Sequence, residues 1–198
     1  DSRGLTRTMT ITTAPSDQFI GITTRFDGRI GTYKQALLRL EPNDSVNLSD
    51  AMGDLVLPLD SSIPLVFVAG GVGIASYTSM LRYLAGHKDA RTVTLFYAVH
   101  STDDIIFQTV VDSYNGIGKL IKLLFTTDHK TDDLPWSGTV KKARLAAADI
   151  AAAAGPDAQV YLSGSQKMVE QLRQELEHEF KVPQYRIAFD YFDGYVET

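Results

Sequence analysis

Apolar positions along this chain follow two regimes. Up to about Leu59 they come in short, threonine-rich or alternating bursts separated by polar turns; after Asp60-Ser61-Ser62 they come in solid β-branched runs that alternate with helical stripes. In the first regime, residues 6–13 and 19–26 predict strands, closed by Ala14-Pro15 and Asp27-Gly28. Residues 33–40 predict a short helix with Ala36, Leu37 and Leu40 on one side, and residues 45–48 and 53–58 predict two further short strands. Few short strands with polar turns predict part of an antiparallel barrel or sandwich, too small to close on itself.

The second regime opens on Pro64-Leu65-Val66-Phe67-Val68-Ala69, a buried-strand run that stops at Gly70-Gly71-Val72-Gly73. Ile74, Tyr77, Leu81 and Leu84 then recur at near-helical spacing until Gly86. Residues 92–98, 120–126, 159–162 and 186–189 predict further strands, and residues 103–111, 142–154 and 166–180 predict helices. The last helix carries Met168, Val169, Leu172, Leu176 and Phe180 on one stripe. This alternation predicts a parallel, doubly wound α/β sheet with right-handed crossovers. The expected division is 1–59 and 60–198. Ligands of such sheets bind at the C-terminal ends of the strands. Here those ends carry Gly70 to Gly73, His100-Ser101, Thr126-Thr127 and Ser163-Gly164-Ser165.

Composition narrows the function classes. The net charge of −5, with basic residues scattered, argues against a nucleic-acid partner. The absence of cysteine excludes disulfides, thiol nucleophiles and cysteine-held zinc or iron–sulfur centres. The four histidines are too dispersed to predict a metal site. No apolar run reaches the roughly 18 residues of a membrane span, and no signal peptide opens the chain. Asp1 is not a natural start, so a fragment or processed form is expected. The expected location is the cytoplasm, or the cytoplasmic face of a membrane if an anchor precedes Asp1.

The chemistry centres on the strand, glycine turn and helix start at residues 64–76. Glycines let a backbone approach a phosphate closely, and the N–H groups of a helix start point at it. Gly71-Val72-Gly73-Ile74-Ala75-Ser76 matches G-x-G-x-x-G with Ser76 in the last glycine's place. By itself this stretch fits a nucleotide site or an ordinary buried strand ending in a turn.

Four motifs in order resemble the ferredoxin–NADP reductase superfamily, which joins a flavin-binding barrel to a pyridine-nucleotide domain. Arg7-Thr8-Met9-Thr10 is similar to its Arg-x-Tyr-Ser/Thr motif, and Gly28-Arg29-Ile30-Gly31-Thr32 to its Gly-x-x-Ser/Thr pyrophosphate loop. Gly70-Gly71-Val72-Gly73-Ile74-Ala75-Ser76 is similar to Gly-Gly-x-Gly-Ile-Thr-Pro, and Ser163-Gly164-Ser165 to Cys-Gly-Pro. The aromatic end, Tyr191, Phe192 and Tyr195, resembles the tail of bacterial members.

The resemblance implies a partial flavin barrel in 1–59, lacking the family's first strands, followed by an NAD(P)-binding domain in 60–198. It implies FAD in preference to FMN, bound by Arg7, Met9, Thr10, Ile11, Thr12, Gly28, Ile30, Gly31 and Thr32, with Tyr195 covering the flavin or packing on the barrel. Arg7 would clamp the pyrophosphate and Thr10 would face flavin N5; Met9 stands where relatives place a tyrosine. It implies NADH or NADPH on Gly70, Gly71, Gly73, Ile74, His100, Ser101, Gly164, Ser165 and Met168, with a lean to NADH because no arginine follows the second strand closely. Thr10 and Ser163 take the catalytic positions, Ser163 replacing the cysteine beside the nicotinamide. The implied activity moves hydride from NAD(P)H to flavin N5. Electrons then pass to an external acceptor: a ferredoxin or flavodoxin, a ferric chelate, a quinone, or an upstream domain. The alternatives are a non-catalytic nucleotide-binding regulatory module, or an electron-transfer subunit of a larger complex.

Overall fold

A computed structural model describes residues 6–26, 30–127 and 136–192. Its helices are α1 (Thr32–Leu38), α2 (Ile74–Gly86), α3 (Gln108–Ser113), α4 (Ala147–Ala154) and α5 (Gln166–His178). Its strands are β1 (Leu65–Gly70), β2 (Val93–Val99), β3 (Leu120–Thr126), β4 (Thr139–Lys141), β5 (Gln159–Ser165) and β6 (Ile187–Phe192). The strands form one sheet in the order β4-β3-β2-β1-β5-β6, with every neighbouring pair parallel.

β1 explains why the sheet has two covered faces. Leu65, Phe67 and Ala69 pack with α2 and α3 residues such as Tyr77, Leu81 and Val111. Val66 and Val68 pack on the other side with Ile150 of α4 and Val169, Leu172 and Leu176 of α5. A strand buried on both sides must be apolar throughout, as this one is. The expected doubly wound sheet is therefore what the second regime folds into. Its order reverses between β1 and β5, the switch point at which open sheets of this kind form their ligand crevice. Tyr77 ties the two strands there: its hydroxyl faces the carbonyls of Val68 and Tyr161, 2.9 Å from each. Its ring stacks on Phe67. Burial pushes the Tyr77 pKa up, so the phenol stays a donor.

Three expectations need correction. The helix expected over 103–111 is instead a short turn at Thr102–Asp104, capped by Ser101, followed by α3. Phe107 between them adopts a left-handed conformation (φ 60°) that breaks the helix. The helix expected from Lys142 starts only at Ala147, after the chain leaves β4. Most importantly, the strands expected at 6–13, 19–26, 45–48 and 53–58 form no ladder. The described residues before β1 contain α1 and one antiparallel bridge, Ile11 to Ile22. Strand propensity needs neighbours to hydrogen-bond and an apolar face to bury, and one isolated pair is marginal. Phe19, Ile20, Val46, Leu48 and Val56 are accordingly exposed.

This segment is nevertheless tied to α2. Thr78 and Ser79 donate their hydroxyls to the carbonyls of Thr12 (3.1 Å) and Thr13 (2.8 Å). Arg82 pairs with Asp17, and Arg25 with Asp104. No helix among the described residues is long and apolar enough to cross a membrane.

The turn from α2 into β2 carries an acid-sensitive brace. Arg91 holds Asp89 with two hydrogen bonds, Nε to Oδ1 at 3.0 Å and a terminal nitrogen to Oδ2 at 2.7 Å. Those side-chain bonds hold the Asp89 carboxyl below its usual value, against the opposing pull of burial. A carboxyl whose folded pKa is depressed contributes stability above its unfolded pKa and loses it as pH falls through the folded one. The urea midpoint should therefore fall between about pH 5 and about pH 3 by more in the native protein than in Asp89→Asn. At neutral pH the variant should have the lower midpoint.

Candidate functional site

The crevice is built from backbone. β1 ends at Gly70, the turn Gly71–Gly73 follows, and α2 begins at Ile74. Gly71 has φ +52°, and a Cβ there would meet nothing within 4 Å, so this edge of the turn lies open. At Gly73 the chain does the opposite. A Cβ would run into the carbonyl of Ser163 and lie 2.9 Å from the Gly164 nitrogen, so the start of α2 sits directly on the end of β5. Gly70 and Gly164 face one another across the gap, and a Cβ on either would strike the Met168 thioether (2.7 and 2.8 Å).

Two long helices start at this gap, α2 beside β1 and α5 after Ser165. Neither has a side-chain cap or an acidic residue in its first turn. Helix N-termini with unsatisfied N–H groups attract anions. An open glycine edge, a close backbone approach and no opposing carboxylate in either first turn fit the pyrophosphate of a dinucleotide.

Other predicted residues converge on the same rim. Ser163 is fully buried, with its hydroxyl 3.1 Å from that of Ser76. His100 is exposed at the tip of β2, with Nδ1 3.4 Å from the Thr127 hydroxyl, and its carbonyl accepts from Thr126. Ser101 is largely given to a cap: its hydroxyl oxygen accepts from the Asp103 N–H, and its own N–H donates to Asp104. Ile74, expected among the cofactor contacts, turns its side chain into the core, and its N–H donates back into the glycine turn. Ser165 is exposed and Met168 is half-buried beside the two glycines.

The expected flavin set is brought together in part. The Arg7 guanidinium lies over the ring of Tyr33, 5.2 Å from its centroid, and Tyr33 follows Gly31 and Thr32 directly. Two motifs far apart in sequence thus share one place. Arg7 also donates to its neighbour's carbonyl, Thr6 O. The Ile30 carbonyl accepts from Gln35, and Met9 and Thr10 are half-buried. Ile11 is the bridge residue, and Thr12 is buried, its carbonyl on Thr78. Gly28 and Tyr195 lie outside the described residues. Tyr191 stacks on Phe189 along β6.

Sequence reasoning did not anticipate the contact between Ser76 and Ser163. The signal available was a hydroxyl in the first turn of α2 where relatives have proline, but its partner lies on another element.

Comparison with known proteins places these features. Residues 67–174, from β1 into α5, match the family model described as the oxidoreductase NAD-binding domain. The reductase component of propane 2-monooxygenase from Rhodococcus jostii is 27% identical over 154 residues, covering 75% of this chain and 40% of that protein. The flavohem-like FAD/NAD binding domain of nitric oxide dioxygenase from Vibrio cholerae superposes with TM-score 0.70 at 20% identity, covering 94% of this chain and 76% of that one. Ferredoxin-NADP+ reductase from Plasmodium falciparum superposes with TM-score 0.67 at 15% identity, covering 94% and 77%. The chain spans less than half the length of the curated relatives it matches.

Proposed function

Because this chain belongs to the oxidoreductase NAD-binding domain family, we propose that, like the ferredoxin–NADP reductases its fold and motifs resemble, its crevice binds NADH or NADPH and passes hydride to FAD held by residues 1–59. The observation that carries this reading is the backbone crevice itself, with Gly71 open and Gly73 pressed on Ser163 at the switch point. The turn and the α2 N-terminus would hold the pyrophosphate through N–H groups. The adenosine half then extends over the β2 tip, toward His100, Ser101 and Thr127, as in other doubly wound sheets. The nicotinamide half extends the other way, toward Ser163 and Gly164.

Residues 1–59 would contribute part of the flavin barrel. Arg7 beside the Gly31-Thr32 turn supports a pyrophosphate clamp, since a guanidinium makes paired, charge-assisted bonds to phosphate oxygens. Thr10 would donate to flavin N5 and Met9 would pack on the ring. A bound flavin supplies acceptance of two electrons together and their release one at a time. This chain's residues align the two rings and exclude water. The acceptor in this reading is external: a redox protein, a ferric chelate, a quinone or an upstream domain. A cytoplasmic location belongs to the same proposal.

The test is the visible spectrum of the full-length protein after incubation with FAD, followed by anaerobic addition of each nicotinamide nucleotide. A flavin band bleached by NADH or NADPH is expected. A protein that stays colourless and still binds nucleotide would contradict turnover and leave a non-catalytic binding module.

A further inference from the structure

The chain before β1 shows water an apolar surface that its own fold does not cover. Of the exposed large hydrophobic residues described, all but Tyr83, Ile121, Phe180 and Tyr185 precede β1. Exposed apolar residues gathered in this way mark a surface that something else covers.

Residues 44–52 carry that surface on an unpaired backbone. Val46, Leu48 and Met52 keep 59%, 66% and 76% of their surface exposed. In strand geometry the three fall on one side, together with Asp44 and Asp50. Residues 45–53 belong to no helix or strand, and none of them makes a backbone–backbone hydrogen bond. Their N–H and C=O groups are as available as those of a sheet edge. The stretch is nonetheless held in place from its C-terminal side. Leu55 and Leu57 pack against the core that contains Tyr77 and Leu81. The Val56 carbonyl accepts from the Tyr161 hydroxyl at 2.7 Å, and the Pro58 carbonyl from Arg91 at 3.3 Å.

Charge selects the occupant. No lysine or arginine occurs between Arg39 and Arg82, while Glu41, Asp44, Asp50, Asp54 and Asp60 are acidic. The Asp50 and Asp54 carboxylates have no ion pair or hydrogen bond among the described residues. An acidic rim repels nucleic acid and the anionic surface of a bilayer. A second copy would set the same carboxylates against one another, and like charges on facing strands are destabilising. What remains is a polypeptide that pairs with the free backbone, covers Val46 and Leu48 with apolar side chains, and sets cations opposite the carboxylates.

We propose that residues 44–50 are a docking edge for strand addition, and that the partner is an extended polypeptide segment alternating apolar and basic side chains on the face it presents. Main-chain hydrogen bonds would supply affinity, and the alternating side chains register and choice of partner. The proposal is independent of the nucleotide reading, since none of these residues lines the crevice.

The test is hydrogen exchange of the full chain with a synthetic peptide at about 1 mM. The probe is Lys-Thr-Val-Thr-Val-Thr-Lys, blocked at both ends. It reads the same in both directions, so either strand orientation sets its lysines opposite Asp44 and Asp50 and its valines opposite Val46 and Leu48. It should slow exchange of the amide hydrogens in residues 45–49. The peptide with glutamate in place of both lysines should bind about tenfold more weakly. Asp50→Lys should erase that difference, because each peptide then meets one opposite and one like charge. Val46→Asp with Leu48→Asp should abolish the protection while the melting temperature and nucleotide affinity stay native, both side chains being exposed. Unchanged exchange with the lysine peptide, equal protection by both peptides, or a difference that survives Asp50→Lys would overturn the proposal. So would a concentration-dependent dimer that protects the same amides without peptide, which assigns the edge to a second copy. Protection of those amides by phosphatidylcholine–phosphatidylglycerol vesicles would overturn it in favour of a lipid surface.

Discussion

Gly73→Ala should destabilise the protein by about 3 kcal/mol and remove nucleotide binding at the same stroke. The added methyl would meet the Ser163 carbonyl carbon at 2.6 Å and the Gly164 nitrogen at 2.9 Å. Both are backbone atoms in the buried end of β5, so no side chain can swing aside. Gly73 has an ordinary helical φ of −57°, so the cost comes from contact and not from backbone strain. To admit the methyl, α2 must shift off β5, which opens the crevice and parts Ser76 from Ser163. A thermal melt should show the midpoint lowered by roughly 6–12 °C, scaled for a chain of this length. Gly71→Ala is the contrast. Its methyl meets open space, so only the positive φ is penalised, at about 1–2 kcal/mol.

Arg186→Met should cost a similar amount without touching the site. Arg186 is 9% exposed, just before β6, and its guanidinium is held by backbone carbonyls. Nε donates to Ala158 O at 2.9 Å, and one terminal nitrogen reaches Ala158 O (2.7 Å), Gly155 O (3.0 Å) and Ala154 O (3.3 Å). These carbonyls lie at or just beyond the C-terminus of α4, where peptide dipoles favour a cation. Methionine keeps much of the stem's volume but strips the buried Ala158 carbonyl of both its guanidinium bonds, a loss of about 3 kcal/mol. Arg186→Lys should recover only part of it, since an ammonium lacks the planar fork. The affected turn precedes β5, at the opposite end of the sheet from the crevice. Urea denaturation should therefore show a lowered midpoint while ADP-ribose affinity stays at the native level.

The two regimes differ in how much of their structure the sequence discloses. For β1 and α2 the apolar run, the glycines and the Ile74, Tyr77, Leu81 stripe act locally and in agreement, so strand, turn and helix follow from neighbours in sequence. That same stripe marks Ile74 as a residue of the helix's apolar face, and its side chain is buried in the core. β4 escaped notice because three residues, Thr139–Lys141, carry no period. The expected strands before β1 looked right locally, yet strand formation depends on partners, and sequence alternation does not reveal whether partners are present. At the site, glycine positions were legible because each answers a backbone demand. The Ser76–Ser163 pair was not, since neither serine signals the other across 87 residues. Arg7 and Tyr33 likewise meet only in three dimensions.

The central claim is that the open glycine edge at the β1–β5 switch point holds a dinucleotide pyrophosphate, and Gly71→Asp tests it most directly. Aspartate tolerates a left-handed backbone better than most residues, and the space in front of Gly71 is empty of protein, so the fold should survive. Its carboxylate would stand where the phosphates bind, and like charges at such range should weaken binding by at least about tenfold. Calorimetric titration of native protein and variant with NADH and NADPH is the measurement. The account predicts clear binding of at least one nucleotide to the native protein and its loss in a variant with a near-native melting temperature. Equal affinity in both proteins, or no binding to the native one, would contradict it.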